Sequence, residues 1–378
     1  MHNMKIVIDD KIPYIRGAFE PVAEVHYLPG HETNAEVVKN ADAIITRTRT
    51  ICNEELLAGS SVKFIATATI GFDHIDTAYC KQARIVWTNA PGCNSGSVEQ
   101  YIASVLMVLA EDKKMKLQDL CIGIVGVGNV GSKIERLCRI LGMKVLLNDP
   151  PREKLEGSAE FVSLQTIQKK ADIITLHVPL ETAGEYATWH MADEKFFNAL
   201  KKNPVFINTC RGEVVKTSAL KMAIKKGSLS AVACDCWENE PDIDTELLDA
   251  CFIATPHIAG YSRDGKANGT KMSVQAVSKY FGLGLDNWEP KEVEVPENAT
   301  FTLNGEGLTE MNIVANAIFK TFDVRKDDKR LRSDISSFEK QRGEYPVRRE
   351  FHAYTIIPEK IPIKTIEKLK LLRFNLKY

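Results

Sequence analysis

The sequence lacks an excess of either charge: 49 lysines and arginines stand against 50 aspartates and glutamates, for a formal net charge of −1. That removes the bulk electrostatic reason to bind nucleic acid or an anionic membrane, and neither partner is expected. Long hydrophobic runs are also missing. The longest apolar stretch, around Tyr101 to Ala110, is far too short to span a bilayer. The start, Met1-His2-Asn3-Met4-Lys5-Ile6-Val7-Ile8, reads as a strand running into acids, without the apolar core of a signal peptide, so a cytoplasmic protein is expected. There is no disulfide framework either. The nine cysteines are odd in number and irregularly spaced, which suits reduced thiols. Cys234 and Cys236 alternate about Asp235 and read as small buried hydrophobes. No histidine or cysteine cluster in the sequence supports zinc, and no metal is expected. With no internal repeat and no low-complexity tract, what remains is an ordinary globular composition in 378 residues, too long for one core.

What is present is alternation. Short apolar runs at Lys5–Ile8, Ala23–Leu28, Ala43–Thr46, Lys63–Ala66 and Ile85–Thr88 are separated by polar helical segments, the pattern of a parallel sheet covered on both faces. A longer helical stretch, Ser97 to Ala110, leads into a second series: Leu120–Val125, Lys144–Leu147, Asp172–Leu176, Pro204–Asn208, Ser230–Ala233 and Phe252–Ala254. Six such strands predict a Rossmann-type doubly wound sheet. The helical run Gly265–Tyr280 is expected to return to the first domain, making it discontinuous. Beyond Gly284 the sequence turns to linker at Asn287–Pro290 and Val295–Asn298. A charge-dense remainder follows, with element-like patterns at Ile313–Phe319 and Ala353–Ile357. The expected fold is therefore α/β. A flavodoxin-like discontinuous domain covers 1–97 plus 258–284, a Rossmann domain 98–257, and a smaller α+β domain 285–378.

Gly126-Val127-Gly128-Asn129-Val130-Gly131 follows a strand and opens a helix, the setting in which GxGxxG signals dinucleotide binding. The first glycine allows the tight turn, the second the approach of a pyrophosphate, and the third close packing of helix on strand. The phosphates would meet free amides at the positive helix end. Asp149, 149 − 131 = 18 residues past the last glycine, ends the next strand, where a ribose-binding acid belongs. A carboxylate there repels a 2′-phosphate, so NAD is the expected cofactor. Arg152, which would argue for NADP, reads as a solvated loop cation.

Arg211, Asp235, Glu240 and His257 all fall just past predicted strand ends, where ligands bind in open α/β sheets. Arginine suits a substrate carboxylate through its planar fork. Histidine suits the proton that leaves an alcohol as hydride leaves its carbon. A carboxylate beside it orients the ring, which is the role assigned to Glu240. Asp235 is better placed to hold a nicotinamide amide than to act as an acid. Arg47-Thr48-Arg49-Thr50 offers cations and hydroxyls that suit a phosphate. Arg348 and Arg349 offer the same from a partner subunit, and either pair reads equally well as solvated surface charge.

Asn208-Thr209-Cys210-Arg211-Gly212, the Asp235…Glu240-Pro241 stretch and Thr255-Pro256-His257 resemble the signatures of the D-isomer-specific 2-hydroxyacid dehydrogenases. Ala66–His74, Ala90–Asn94, Asn148–Arg152, His257–Tyr261 and the charged tail resemble one branch of that family, nearly from end to end. Members of that branch act on a phosphorylated four-carbon acid and dimerise through the tail. The resemblance implies that Arg211 binds the substrate carboxylate, His257 moves the proton and Glu240 partners it. It places Thr48, Thr69 and Tyr261 on the substrate, with Ile70, Gly71 and Arg47 beside them. Asp149, Thr209, Cys210, Asp235 and Gly260 would contact NAD along with Gly126, Gly128, Asn129, Val130 and Gly131. Departures are Thr48 where serine is usual, Cys210 where alanine is usual, and Ile70 and Phe72 in place of smaller residues. The other readings are a related dehydrogenase acting on 3-phosphoglycerate or on hydroxypyruvate and glyoxylate, and an NAD(H)-sensing, corepressor-like binding protein.

Overall fold

The computed structural model describes residues 4–157 and 159–378, so Met1–Asn3 of the expected first strand lie outside the described residues. The chain forms two compact units. One ends its first segment at Asn94 and adds Ser262–Glu294; the other comprises Ser95–Tyr261 and Val295–Tyr378. Among the described residues no helix is long and apolar enough to cross a membrane.

The first unit is a five-stranded parallel sheet of β1 (Lys5–Asp9), β2 (Glu24–Leu28), β3 (Ala43–Thr46), β4 (Phe64–Thr67) and β5 (Val86–Thr88), in the order β2-β1-β3-β4-β5. This is the flavodoxin-like order. Alternation of side chains sends Ile6, Ile8, Ala43, Ile45 and Phe64 to one face and Val7, Ile44 and Ile65 to the other. Val274 and Val277 of the helix Arg263–Phe281 cover the first face, which is why that distant segment belongs to this unit. The Ser262 hydroxyl caps that helix by accepting from Gly265 N at 2.8 Å.

The second unit holds β6 (Cys121–Val125), β7 (Lys144–Asn148), β8 (Ile173–Leu176), β9 (Val205–Asn208), β10 (Ala231–Cys234) and β11 (Ile253–Ala254), all parallel, ordered β11-β10-β9-β8-β6-β7. A single bridge between Leu147 and Phe161 stands outside β7 and occupies the place of the third strand in the dinucleotide-binding order. Strands are added to one side of β6 up to β7 and to its other side from β8 onward, so the carboxyl end of β6 is at the switch point, where such sheets bind ligands.

The charge-dense remainder forms a three-stranded parallel sheet, β12 (Thr300–Asn304), β13 (Thr355–Glu359) and β14 (Asn375–Leu376), with helices Glu310–Thr321, Val324–Ser333 and Ile363–Leu371. The helix Val324–Ser333 lies in the most charge-dense part of this tail and is capped by Asp323. Residues 295–378, expected as part of a third domain, group with the Rossmann sheet. Ile313, Ile318, Phe322, Val324 and Phe351 share one hydrophobic cluster with Tyr101, Val105 and Leu109 of the helix Ser95–Asp112.

Candidate active site

The glycine turn is built around close approach. Gly126 has φ +85°, and a Cβ there would lie 2.7 Å from the His177 carbonyl carbon. A Cβ on Gly131 would lie 2.0 Å from the Gly126 oxygen, so the helix Gly131–Ile140 starts tight against the strand. Gly128 differs: a Cβ there would meet no protein atom within 4 Å. That open position beside the amides of Asn129, Val130 and Gly131 is where a pyrophosphate backbone contact fits. Asp149 closes the other side at the end of β7. Its Oδ2 accepts from Val127 N at 2.8 Å and its Oδ1 from Arg152 N at 3.1 Å. Arg152 is not a loose solvated cation. It grips Glu156 through Nε and Nη2 at 2.7 and 2.9 Å and donates from Nη1 to the Val127 carbonyl. The residues present therefore fit NAD.

The loop after β9 carries Thr209, Cys210 and Arg211. Asn208 braces it, donating from Nδ2 to the carbonyls of Arg211 at 3.0 Å and Cys236 at 3.3 Å. Gly212 lets it lie against the next loop, since a Cβ there would sit 1.9 Å from the Trp237 carbonyl. Arg211 is thereby seated against the Glu240 loop, with Nη1 on the Cys210 carbonyl at 2.8 Å. Burial pushes the Cys210 thiol up to about 11. Thr209 Oγ1 lies 3.3 Å from His177 Nδ1, and Thr175 Oγ1 lies 2.9 Å from His177 Nε2. Burial lowers the His177 pKa to about 3, so this ring is a neutral link between β8 and β9.

Glu240 and His257 meet directly. Glu240 Oε1 accepts from Trp237 N at 2.9 Å, and Oε2 faces His257 Nδ1 at 2.7 Å. A carboxylate can only accept, so Nδ1 carries the hydrogen and Nε2 is left to take up a proton. Burial works to raise the Glu240 pKa, but the hydrogen bond and charge of His257, the Trp237 amide and the Arg342 cation outweigh it and hold the carboxyl below its ordinary value. His257 itself sits at φ +53°, a left-handed conformation that needs support from its surroundings. Its N–H donates to the Asp235 and Thr255 carbonyls at 2.8 and 3.0 Å. The Asp235 carboxylate holds the residues on either side of His257: Oδ1 accepts from the Thr255 hydroxyl at 2.6 Å and Ile258 N at 2.8 Å, and Oδ2 from Ala259 N at 2.8 Å. Burial raises the Asp235 pKa against the opposing pull of His257 and these donors.

Glu240 and His257 thus meet in the second unit, a few residues before Gly260 and Tyr261, and the loop of Arg211 lies against the Glu240 loop through Gly212 and Trp237. In the first unit, Arg47 and Thr48 follow β3 while Thr69, Ile70 and Gly71 follow the adjacent β4. Thr69 Oγ1 shares a 2.8 Å contact with Thr67 Oγ1 and donates to the Gly71 carbonyl at 2.9 Å; Arg47 donates to the Lys11 carbonyl at 3.2 Å. Arg348 contradicts both of its sequence readings, phosphate ligand and solvated charge. It is 4% exposed and bound to carbonyls.

Several residues of the site carry no sequence motif. His177, Trp237, Thr255 and Tyr101 act through hydrogen bonds between elements far apart in sequence, as in Tyr101 OH to Thr255 Oγ1 at 2.7 Å. Arg342 lies with its cation 5.7 Å from the Tyr261 ring, and only the folded tail puts it there. Cys236 Sγ lies within 4.8 Å of ligand atoms of Glu240 and His257, a grouping invisible in the sequence because the three are not clustered in it.

A dinucleotide-type glycine turn, an arginine on the loop after β9 and a histidine backed by a glutamate are the arrangement of an NAD-dependent 2-hydroxyacid dehydrogenase. The family described as D-isomer specific 2-hydroxyacid dehydrogenase, NAD binding domain, matches residues 104–259, and a domain of unknown function, DUF3410, matches 293–372. Erythronate-4-phosphate dehydrogenase of Bacteroides fragilis is 53% identical over 355 residues, covering 94% of this chain and 99% of that protein. Its counterpart in Porphyromonas gingivalis is 42% identical and covers 98% of each. Among solved structures, D-lactate dehydrogenase from Aquifex aeolicus complexed with NAD and lactic acid aligns with TM-score 0.60 at 28% identity, covering 75% of this chain and 97% of that one. The chain belongs to the erythronate-4-phosphate dehydrogenase family.

Proposed function

We propose that the chain oxidises 4-phospho-D-erythronate at its 2-hydroxyl to (R)-3-hydroxy-2-oxo-4-phosphooxybutanoate, a step of pyridoxal 5′-phosphate biosynthesis. The observation that carries this reading is likeness over nearly the whole chain to enzymes of that name, with the Glu240–His257 pair in place at 2.7 Å. Arg211 binds the C1 carboxylate. His257 Nε2 accepts the hydroxyl proton as the C2–O bond gains double-bond character, and Glu240 stabilises the imidazolium that forms. The chemistry that NAD supplies when bound is acceptance of the hydride leaving C2. Asp149 and the Gly126–Gly131 turn hold the nucleotide, and Thr209, Cys210, Asp235 and Gly260 line its nicotinamide end. Thr48, Thr69, Ile70, Gly71, Arg47 and Tyr261 contact the substrate. Residues 1–97 with 258–284 act as the substrate domain, 98–257 bind NAD, and 285–378 form the surface of a homodimer in the cytoplasm.

NADH formation tests this. With 4-phosphoerythronate, kcat/KM is expected to exceed that for unphosphorylated erythronate, 3-phosphoglycerate and hydroxyacid analogues by at least about a hundredfold. Equal rates on erythronate would remove the phosphate from the assignment.

A further inference from the structure

Among the described residues no carboxylate is hydrogen-bonded to the buried cation of Arg348. Its Nε donates to Gln100 Oε1 at 2.8 Å and its Nη2 to the Ser97 carbonyl at 2.6 Å. Its Nη1 donates to the carbonyls of Ile258 at 3.2 Å and Ala259 at 3.4 Å. The guanidinium Cζ lies 3.7 Å from the Phe322 ring centroid, and the residue is 4% exposed. Gln100 is itself pinned, donating to the Arg349 carbonyl at 3.0 Å and to Thr321 Oγ1 at 3.3 Å. A desolvated guanidinium is costly unless its donors are used, and here carbonyl dipoles and a ring face use them.

The two carbonyls at Nη1 belong to the residues directly after His257. Their amides are the ones that Asp235 holds at 2.8 Å each. The segment following the proton-moving histidine is therefore held on its N–H side by an anion from the end of β10 and on its C=O side by a cation from the tail. His257 needs such bracing at φ +53°. The same guanidinium reaches Ser97, three residues past the point where the chain enters this unit after Asn94. Ile258 and Ala259 lie three and two residues before Tyr261, where the chain leaves it.

We propose that Arg348 is a positioning residue for proton transfer. It fixes the 257–261 segment so that His257 Nδ1 stays on Glu240 and Nε2 stays aimed at the substrate hydroxyl, and it ties both chain passages at one point. The tail thereby takes part in the reaction without touching substrate. The proposal rests on His257 as the proton-moving group.

The test uses the full chain carrying Arg348→Met or Arg348→Lys, each in the wild-type and His257→Ala backgrounds, with NADH affinity followed by fluorescence. Arg348→Met is expected to lower kcat about ten- to a hundredfold while the Kd for NADH changes by less than about threefold. Lysine, which keeps the charge and part of the donor set, should recover part of that loss. In the His257→Ala background the methionine substitution should cost less than about twofold, because the group it positions is gone. A folded Arg348→Met enzyme within about twofold of wild-type kcat, or an equal loss in both backgrounds, overturns the proposal. Should the methionine variant not fold, Arg348→Lys and Gln100→Leu carry the test, and wild-type kcat in both overturns it. If His257→Ala alone turns over normally, the reading of the site fails rather than this inference.

Discussion

His177 shows how a residue that carries no motif acquires a role through burial. It follows β8, touches Thr175 on one nitrogen and Thr209 on the other, and its pKa is lowered from 6.5 to about 3. The folded state resists protonating this ring, whereas the unfolded chain protonates it near 6.5. The stability it contributes is thus fully present above about pH 6.5 and is lost as pH falls toward 3, by up to about 1.4 kcal/mol per pH unit. Urea denaturation at pH 7, 5.5 and 4.5 checks this. The wild type should lose stability more steeply with acid than His177→Gln, whose side chain cannot be charged. Parallel slopes would show that His177 does not titrate on unfolding. Nothing in the sequence around His177 marks it, because the signal is the dense protein that closes around the ring. Arg211, Glu240 and His257 were legible for the opposite reason. Each lies on the loop that follows a strand run, and strand ends are where such sheets place chemistry.

At the scale of elements, the glycine turn separates two demands that the motif states together. Gly131 and Gly126 are glycines because protein backbone stands where a side chain would go. Gly128 is open on its Cβ side, so its constraint comes from what binds. Gly128→Val is therefore expected to leave the melting temperature within about 3 °C of wild type while raising the KM for NAD at least about tenfold. Gly131→Val should lower the melting temperature outright. Melting curves with NAD titrations distinguish them, and equal destabilisation by both would contradict the geometry. Unlike β12 and β14 of the tail, the strands of the first two sheets were legible almost residue by residue, since buried parallel strands are short apolar runs between turn signals. Their ends shifted by a residue or so, as β4 did to Phe64–Thr67, because neighbouring strands decide where a ladder stops. The helix Val324–Ser333 was hidden by charge. It buries only Val324, Asp327 and Leu331, too few for a visible apolar stripe.

At the scale of the whole chain, the tail is part of the core that supports the site. The helices Glu310–Thr321 and Val324–Ser333 pack on the helix Ser95–Asp112, and Val324 N donates to Ser104 Oγ at 3.0 Å. Val105, Leu106 and Leu109 are fully buried in that cluster. Ending the chain at Glu294 would strip the cover from this helix and remove Arg348 from the His257 segment. The shortened protein is expected to lose more than about 5 kcal/mol of stability and to aggregate, measured by soluble yield and thermal unfolding. A soluble truncation that melts like the full chain would show the tail to be separable.

The sequence by itself determined the alternating parallel-sheet architecture, the dinucleotide turn with Asp149, and the residue types of the proton-moving site. Those depend on local order: apolar runs, turn residues and the chemistry at strand ends. Tertiary structure alone decided that Asp235 and Arg348 brace the segment after His257 from opposite sides, that His177 is neutral, and that the tail shares a core with the NAD-binding sheet. These depend on which distant side chains are desolvated together, and burial is a property of the folded chain rather than of any stretch of it.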